Sequence, residues 1–297
     1  MPQACANGIQ LEYDTFGRAS DRPLLLIMGL GAQMTLWDEE FCEALAARGQ
    51  HVIRFDNRDV GLSTKFDHEG VPNVVAMMQP GADRSGAPYT LDDMADDAAG
   101  LLDALRIERA HICGASMGGM IAQTVAYRHA PKAKSLISIM SSTGNPKLPQ
   151  AKPEAMAVLM TPRPLDRAGN VEASVRASKV IGSPGFPVDE ERLRRRAGEM
   201  YDRSFTPLGT VRQMAAVWAH GNRAPRLSAV RAPTLVIHGL ADPLVPVEGG
   251  RDTATSIPGA ELLEIEGMGH DLPPALWTRL ADAIAAHTKK AEAARSA

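Results

Sequence analysis

The sequence predicts an α/β fold: a mostly parallel eight-stranded sheet with helices on both faces and a helical insertion past its middle. Three observations carry this. Short apolar runs rich in β-branched residues alternate with longer stretches of helical period, a serine between glycines stands where one run turns into a helix, and the alternation lapses over residues 145–228 before resuming. Candidate strands are Leu24 to Met28, Val52 to Phe55, Ala110 to Cys113, Leu136 to Met140, Thr234 to His238 and Leu262 to Ile265, with a hairpin around Ile9 to Phe16 supplying two more. Thr90 is placed to cap a helix in which Leu91, Met94, Ala95, Ala98, Leu101, Leu102 and Leu105 fall three and four apart, so that one stripe faces the sheet.

A chain of 297 residues suits one large α/β core (1–144 and 229–297) interrupted by a helical cap (145–228). With 44% apolar and 23% charged residues, a sizeable core can form. The net charge of −3 and scattered basic residues lack the electrostatic footprint of a nucleic-acid binder. The one basic run, Arg194 to Arg196, reads as a solvated helix face. Three cysteines, Cys5, Cys42 and Cys113, have spacings that fit neither a disulfide framework nor a zinc site, which suits a reducing cytoplasm. The stretch from Met1 to Phe16 lacks a basic start followed by an apolar run, and the longest apolar run, Leu24 to Ala32, is too short to span a bilayer. A cytoplasmic protein without a membrane segment is therefore expected, its oligomeric state left open. The Lys289 to Ala297 tail reads as a frayed helix end.

The insertion is expected to fold over the carboxyl edge of the sheet, where open α/β sheets bind ligands. Met156, Met160, Trp218 and His220 are its substrate-binding candidates, with Met200 and Met214 beside them; core packing is the competing reading for the methionines and Trp218, and a structural role for His220. The loop from Thr64 to Tyr89, with Met77 and Met78, is expected to border the same site.

The chemistry centres on Gly114-Ala115-Ser116-Met117-Gly118, a G-x-S-x-G sequence between the run Ala110 to Cys113 and the helical stretch Gly119 to Ala130. Serine at the tip of so sharp a turn takes strained backbone angles, and side chains at either glycine would collide with neighbouring backbone. A serine hydroxyl needs a base to take its proton. Of eight histidines, His270 is best placed, in the loop Gly267-Met268-Gly269-His270 after the last strand. His238, four residues before Asp242, reads as packed. The imidazole in turn needs a carboxylate to fix its tautomer. Asp242 follows the strand Thr234 to His238 and completes the order Ser, Asp, His; Asp271 and Asp252 are its rivals. The Met117 N–H and the Leu30 N–H, the latter in Met28-Gly29-Leu30-Gly31, are the candidate oxyanion donors. A dinucleotide-binding reading of that loop fails because the third glycine of G-x-G-x-x-G is missing.

On these motifs the chain resembles the α/β-hydrolase superfamily from about Ile9 to His287, and within it the small microbial carboxylesterases, including methylesterases of the aclacinomycin methylesterase type. Asp56-Asn57-Arg58-Asp59-Val60-Gly61-Leu62-Ser63 is similar to the D-x-R-G-x-G-x-S turn after the fourth strand, Gly114 to Gly119 to the G-x-S-x-G-G elbow, and Gly267 to His270 to the G-x-G-H ending. Asp56 and Arg58 are expected to bond within their turn. Many relatives carry H-G where this chain has Met28-Gly29, so the resemblance leaves open how that loop is held.

The resemblance implies hydrolysis of a carboxylic ester through an acyl-enzyme, with a small-molecule ester as partner and no cofactor or metal. Short to medium apolar acyl esters, or methyl esters, are the expected substrates. Lactone hydrolysis, amide cleavage, carbon–carbon bond hydrolysis and peracid formation use the same residues and stay open, because pocket shape separates them. A non-catalytic binding protein on the same fold is the reading from another class.

Overall fold

Eight strands hydrogen-bond into one sheet: β1 (Gln3–Ala6), β2 (Ile9–Phe16), β3 (Arg22–Ile27), β4 (Gln50–Phe55), β5 (Ala110–Ala115), β6 (Ala133–Ile139), β7 (Thr234–Gly239) and β8 (Glu261–Ile265). Their spatial order is β1-β2-β4-β3-β5-β6-β7-β8. The computed structural model describes residues 1–79 and 81–296. β2 runs antiparallel to both β1 and β4, and every pairing from β4 through β3 to β8 is parallel. The six later strands fall where the apolar runs predict them, within a few residues at each end. The hairpin differs. Ile9–Phe16 is a single strand, and its partner β1 lies earlier, joined through Asn7 and Gly8 at positive φ (48° and 78°). Asn-Gly is the tight-hairpin dipeptide, a turn signal that the apolar pattern alone overlooks.

Parallel strands need long crossovers, and helices supply them. In chain order they are α1 (Glu39–Ala46), α2 (Val74–Met77), α3 (Leu91–Ala104), α4 (Met117–Arg128), α5 (Pro153–Met160), α6 (Arg167–Ile181), α7 (Glu190–Arg203), α8 (Pro207–His220), α9 (Ala224–Leu227), α10 (Glu248–Ser256) and α11 (Trp277–Ser296). The period-2 geometry of β3 sends Leu25 and Ile27 into the core beneath α3 and α4, and Leu24 and Leu26 into the core beneath α1 and α11. Thr90 caps α3 as expected: its hydroxyl accepts from the Asp92 amide at 3.2 Å, and Asp93 accepts from the Thr90 amide at 2.8 Å. The tail is better held than its composition suggests, because α11 continues to Ser296 and Lys134 pairs with Glu292 at 2.8 Å.

Helices α5 to α9 lie between β6 and β7, and ion pairs tie them to the loops that leave β3 and β4. The Asp56 carboxylate, fully buried, accepts from the Met34 and Leu62 amides (2.8 and 2.9 Å) and meets Arg203 of α7 at 2.8 Å, so it reaches beyond its own turn. Arg58 likewise leaves the turn to grip Asp97 of α3 through two bonds of 2.6 and 2.7 Å. Asp59 stands where the similar turn carries glycine, and its φ of 72° shows why glycine suits the position. Its carboxylate receives Arg212 of α8 through two bonds (2.9 and 2.8 Å), the Tyr89 hydroxyl (2.6 Å) and the Phe66 amide (2.9 Å). Burial alone would raise this carboxyl, but Arg212, Phe66 and Tyr89 hold it below the usual carboxylate range. The basic run on α7 also departs from the expected solvated face. Arg194 pairs with Glu172 and Glu190 at the surface, whereas Arg196 is only 16% exposed and docks on Asp38 and the Thr35 carbonyl.

At the far end of α8, His220 is buried against α4. Its Nε2 lies 3.0 Å from the Tyr127 hydroxyl and 3.3 Å from Arg226. Burial, and then the charges of Arg223, Arg226 and Arg128, push this imidazole down to about 3. The folded state therefore keeps His220 neutral, while the unfolded chain takes up a proton below its ordinary value of 6.5.

Two outcomes follow from these anchors. Arg212→Met leaves Asp59 charged, buried and short of its cation, and is expected to lower the unfolding free energy by roughly 3 to 5 kcal/mol in urea denaturation. Removing both charges, in Asp59→Asn with Arg212→Met, should lower it by less; equal losses would refute the pairing. For His220 the sign is fixed: its contribution is complete above about pH 6.5 and declines as pH falls toward 3. The melting temperature of His220→Gln should fall less steeply than that of the wild type between pH 6.5 and 4, and parallel curves would contradict the assignment.

Candidate active site

Ser116 stands between the end of β5 and the first turn of α4, with φ 56° and ψ −123°, a conformation that L-residues avoid. Its neighbours make the turn sterically feasible. A Cβ at Gly114 would lie 2.0 Å from the Gly118 carbonyl oxygen, and one at Gly118 would lie 2.0 Å from the carbonyl oxygen of Ile27 on β3. The strand-to-helix turn thus packs against the adjacent strand with no room for side chains. It lifts the Ser116 hydroxyl off the carboxyl edge of the sheet.

His270 arrives from the loop after β8. Its Nε2 is 2.9 Å from the Ser116 Oγ, and its Nδ1 is 2.7 Å from the Asp242 Oδ2. The loop after β7 holds Asp242 so that its other oxygen, Oδ1, accepts from the Leu244 and Val245 amides at 2.9 and 2.8 Å. With Nδ1–H donating to the carboxylate, Nε2 presents a lone pair to the serine hydroxyl. The rival acids point elsewhere. Asp252 engages Thr143 and Asn145, and Asp271 accepts from the Ser183 hydroxyl while burial raises its carboxyl. His238 is packed, as expected: its Nε2 donates to the Val245 carbonyl at 2.8 Å and lies 3.6 Å from Asp242 Oδ2. Burial keeps this imidazole below its ordinary range.

The Leu30 and Met117 amides flank the serine, on the loop after β3 and at the first residue of α4, and neither has an acceptor among the described residues. The loop carrying Leu30 needs no histidine at position 28. Asn57 Nδ2 donates to the Met28 carbonyl at 2.9 Å, and Gln213 Oε1 accepts from the Gly31 amide at 2.8 Å.

The substrate-binding candidates separate into two groups. Met160 and Trp218 join an apolar cluster with Val74, Met77, Met78, Leu159 and Met214 that also touches Leu30, so the 64–89 loop and the inserted helices meet beside the site. Met156 is half-buried on α5 and outside that cluster. His220 does not reach the site. It packs on Tyr127, at the opposite end of α4 from Ser116, about 16 Å along the helix axis at 1.5 Å per residue. Its place in Trp218-Ala219-His220 suggested a shared face, but successive helix positions diverge by about 100°. Sequence reasoning missed Asn57, Gln213 and Ser183, whose hydroxyl accepts from the Gly269 amide at 2.9 Å beside His270. Only Asn57, inside a recognisable motif, carried a signal. Among the described residues no three His, Cys, Asp or Glu side chains converge as metal ligands, and no helix is long and apolar enough to cross a membrane.

Comparison with known proteins identifies the fold and the family. The alpha/beta hydrolase fold family matches residues 22–273. Rhodomycin D methylesterase DauP of Streptomyces sp. (strain C5) is 31% identical over 304 residues, covering 95% of this chain and 96% of that protein. Rhodomycin D methylesterase DnrP of Streptomyces peucetius is 32% identical over 314 residues, with the same coverage of 95% and 96%. Among solved structures, the meta-cleavage product hydrolase of Pseudomonas fluorescens IP01 shares the fold with a TM-score of 0.75 at 19% identity, covering 98% of each chain. Sheet order, the turn at Ser116 and a family match over most of the length lead to one conclusion: the chain belongs to the alpha/beta hydrolase family.

Proposed function

We propose that this α/β hydrolase cleaves carboxylic esters, methyl esters among them, through an acyl-enzyme on Ser116. The observation that carries the reading is the hydrogen-bonded row Ser116–His270–Asp242, at 2.9 and 2.7 Å. As the Ser116 Oγ attacks the ester carbonyl carbon, its proton passes to His270 Nε2, and Asp242 stabilises the imidazolium through Nδ1–H. The Leu30 and Met117 amides bind the oxyanion. The intermediate collapses, the alcohol leaves with the proton held on His270, and a water activated by the same imidazole then releases the acid and frees the serine.

The apolar cluster of Met77, Met78, Met160, Met214 and Trp218 beside Leu30 supports an apolar acyl group, since methionines adapt their shape to such ligands. Two methylesterases at 31% and 32% identity support methanol as one leaving alcohol. In this reading helices α5 to α9 act as a cap over the carboxyl edge of the sheet. Free thiols at Cys5, Cys42 and Cys113 suit a reducing compartment, and we place the protein in the cytoplasm.

Initial rates on p-nitrophenyl acetate, butyrate, octanoate and palmitate test the mechanism. Ser116→Ala should lose most of the wild-type rate, roughly 10⁶-fold as when a serine protease loses its nucleophile. Asp242→Asn, which leaves His270 in the wrong tautomer, should lose about 10⁴-fold in kcat. A Ser116→Ala variant that keeps its rate would overturn the reading. Butyrate and hexanoate esters should outpace esters of charged acids, and the reverse order would refute an apolar acyl site.

A further inference from the structure

The loop bearing Leu30 is held from two sides. Beside Ser116, a Cβ at Gly29 would lie only 3.1 Å from the serine Cβ. Beside α8, a Cβ at Gly31 would lie 2.6 Å from the Thr210 Oγ1. The Leu30 peptide therefore sits between the serine and a helix of the inserted segment. Glycines flank it, and glycine restrains its own backbone angles least of all residues. Within the loop, one long bond acts on the plane that carries the Leu30 N–H, from the Ala32 amide to the Gly29 carbonyl at 3.3 Å, and the shorter restraints come from outside.

Two hydrogen bonds supply them. Asn57 fixes the peptide plane before Gly29 through the Met28 carbonyl, at 2.9 Å. Gln213, fully buried on α8, fixes the plane after Leu30 by accepting from the Gly31 amide at 2.8 Å. The Gln213 side chain cannot swing away, because its Nε2 donates to the Arg58 carbonyl at 2.7 Å. Its neighbour Arg212 locks the same turn of α8 to Asp59. The plane that carries the Leu30 N–H hangs between two pinned planes, and a peptide plane is rigid.

We propose that Gln213 is a positioning residue for the oxyanion hole: it aims the Leu30 amide from the inserted segment, which makes α8 part of the catalytic apparatus as well as of the cap. This assignment rests on the reading of Leu30 as an oxyanion donor. It predicts that losing Gln213 weakens binding of the tetrahedral oxyanion and leaves ground-state ester binding nearly unchanged.

The test compares wild type, Gln213→Met and Gln213→Glu on p-nitrophenyl butyrate, with rates expressed per fluorophosphonate-titrated Ser116 so that any misfolded fraction drops out. Each protein is also titrated with an alkyl trifluoromethyl ketone. Ser116 Oγ adds to the ketone carbon, its proton moves to His270, and the carbonyl oxygen becomes the bound oxyanion. Gln213→Met should lose roughly 10- to 100-fold in kcat with KM within about threefold, and ketone affinity should fall in proportion to kcat/KM. Gln213→Glu, whose buried carboxyl is held protonated against the Arg58 carbonyl and so keeps both a donor for that carbonyl and an acceptor for the Gly31 amide, should recover part of both losses. Full activity in Gln213→Met overturns the assignment, as does a loss of kcat/KM without matching loss of ketone affinity, or a Gln213→Glu no better than Gln213→Met. A wild type that hydrolyses no ester and forms no ketone adduct overturns the esterase reading, and this assignment with it.

Discussion

Asp56 and Asp59, three residues apart on the turn that leaves β4, are buried carboxylates, and each faces a cation from the inserted helices. A carboxylate withdrawn from water is costly unless a cation and hydrogen-bond donors replace its hydration. Here they do. Arg203 and two backbone amides serve Asp56; Arg212, Tyr89 and the Phe66 amide serve Asp59. Such an arrangement is stable only while α7 and α8 stay docked, so the charge pairs fix where these helices lie against the turn that leaves β4. That position in turn brings Gln213 to the loop after β3 and Met214 to the apolar cluster beside Leu30.

The site is assembled from separated parts of the chain by the same logic. β5 and α4 supply the strained Ser116, the loop after β7 supplies Asp242 and the loop after β8 supplies His270. The inserted segment braces the loop bearing His270: the His270 amide donates to the Ile181 carbonyl at 2.7 Å, and the Gly185 amide to the Gly267 carbonyl at 2.9 Å. Asp242 has both oxygens occupied, one by His270 and the other by two amides, which fixes its orientation. Behind it, the neutral His238 ties the Val245 carbonyl and closes the acid loop on itself. An ester hydrolase gains from such rigidity because groups that meet developing charge must be in place before it develops.

Much of this was legible in the sequence. The parallel strands, the capped helix α3, the helical character of 145–228 and the grouping of Ser116, Asp242 and His270 follow from local signals: period, capping residues, glycine spacing and chain order. Two calculations of face went astray for a common reason. Arg196 looked solvated and His220 looked turned to the site because helical period gives the relative direction of side chains but not the rotation of the helix against its neighbours. The Met28 substitution, which left the loop after β3 without its usual histidine, is answered by Asn57 and Gln213, and Gln213 lies 182 residues from the Gly31 amide that donates to it.

The sequence by itself determined which elements form and which residue types can carry acyl transfer, since backbone strain, capping and hydrophobic period act over a few residues. Only the tertiary structure decided which carboxylate faces His270, which inserted side chains border Leu30, and that the inserted helices are clamped by ions to the turn after β4. These are contacts between distant segments, chosen by burial and by the need of every buried charge and amide for a partner. No local pattern encodes them.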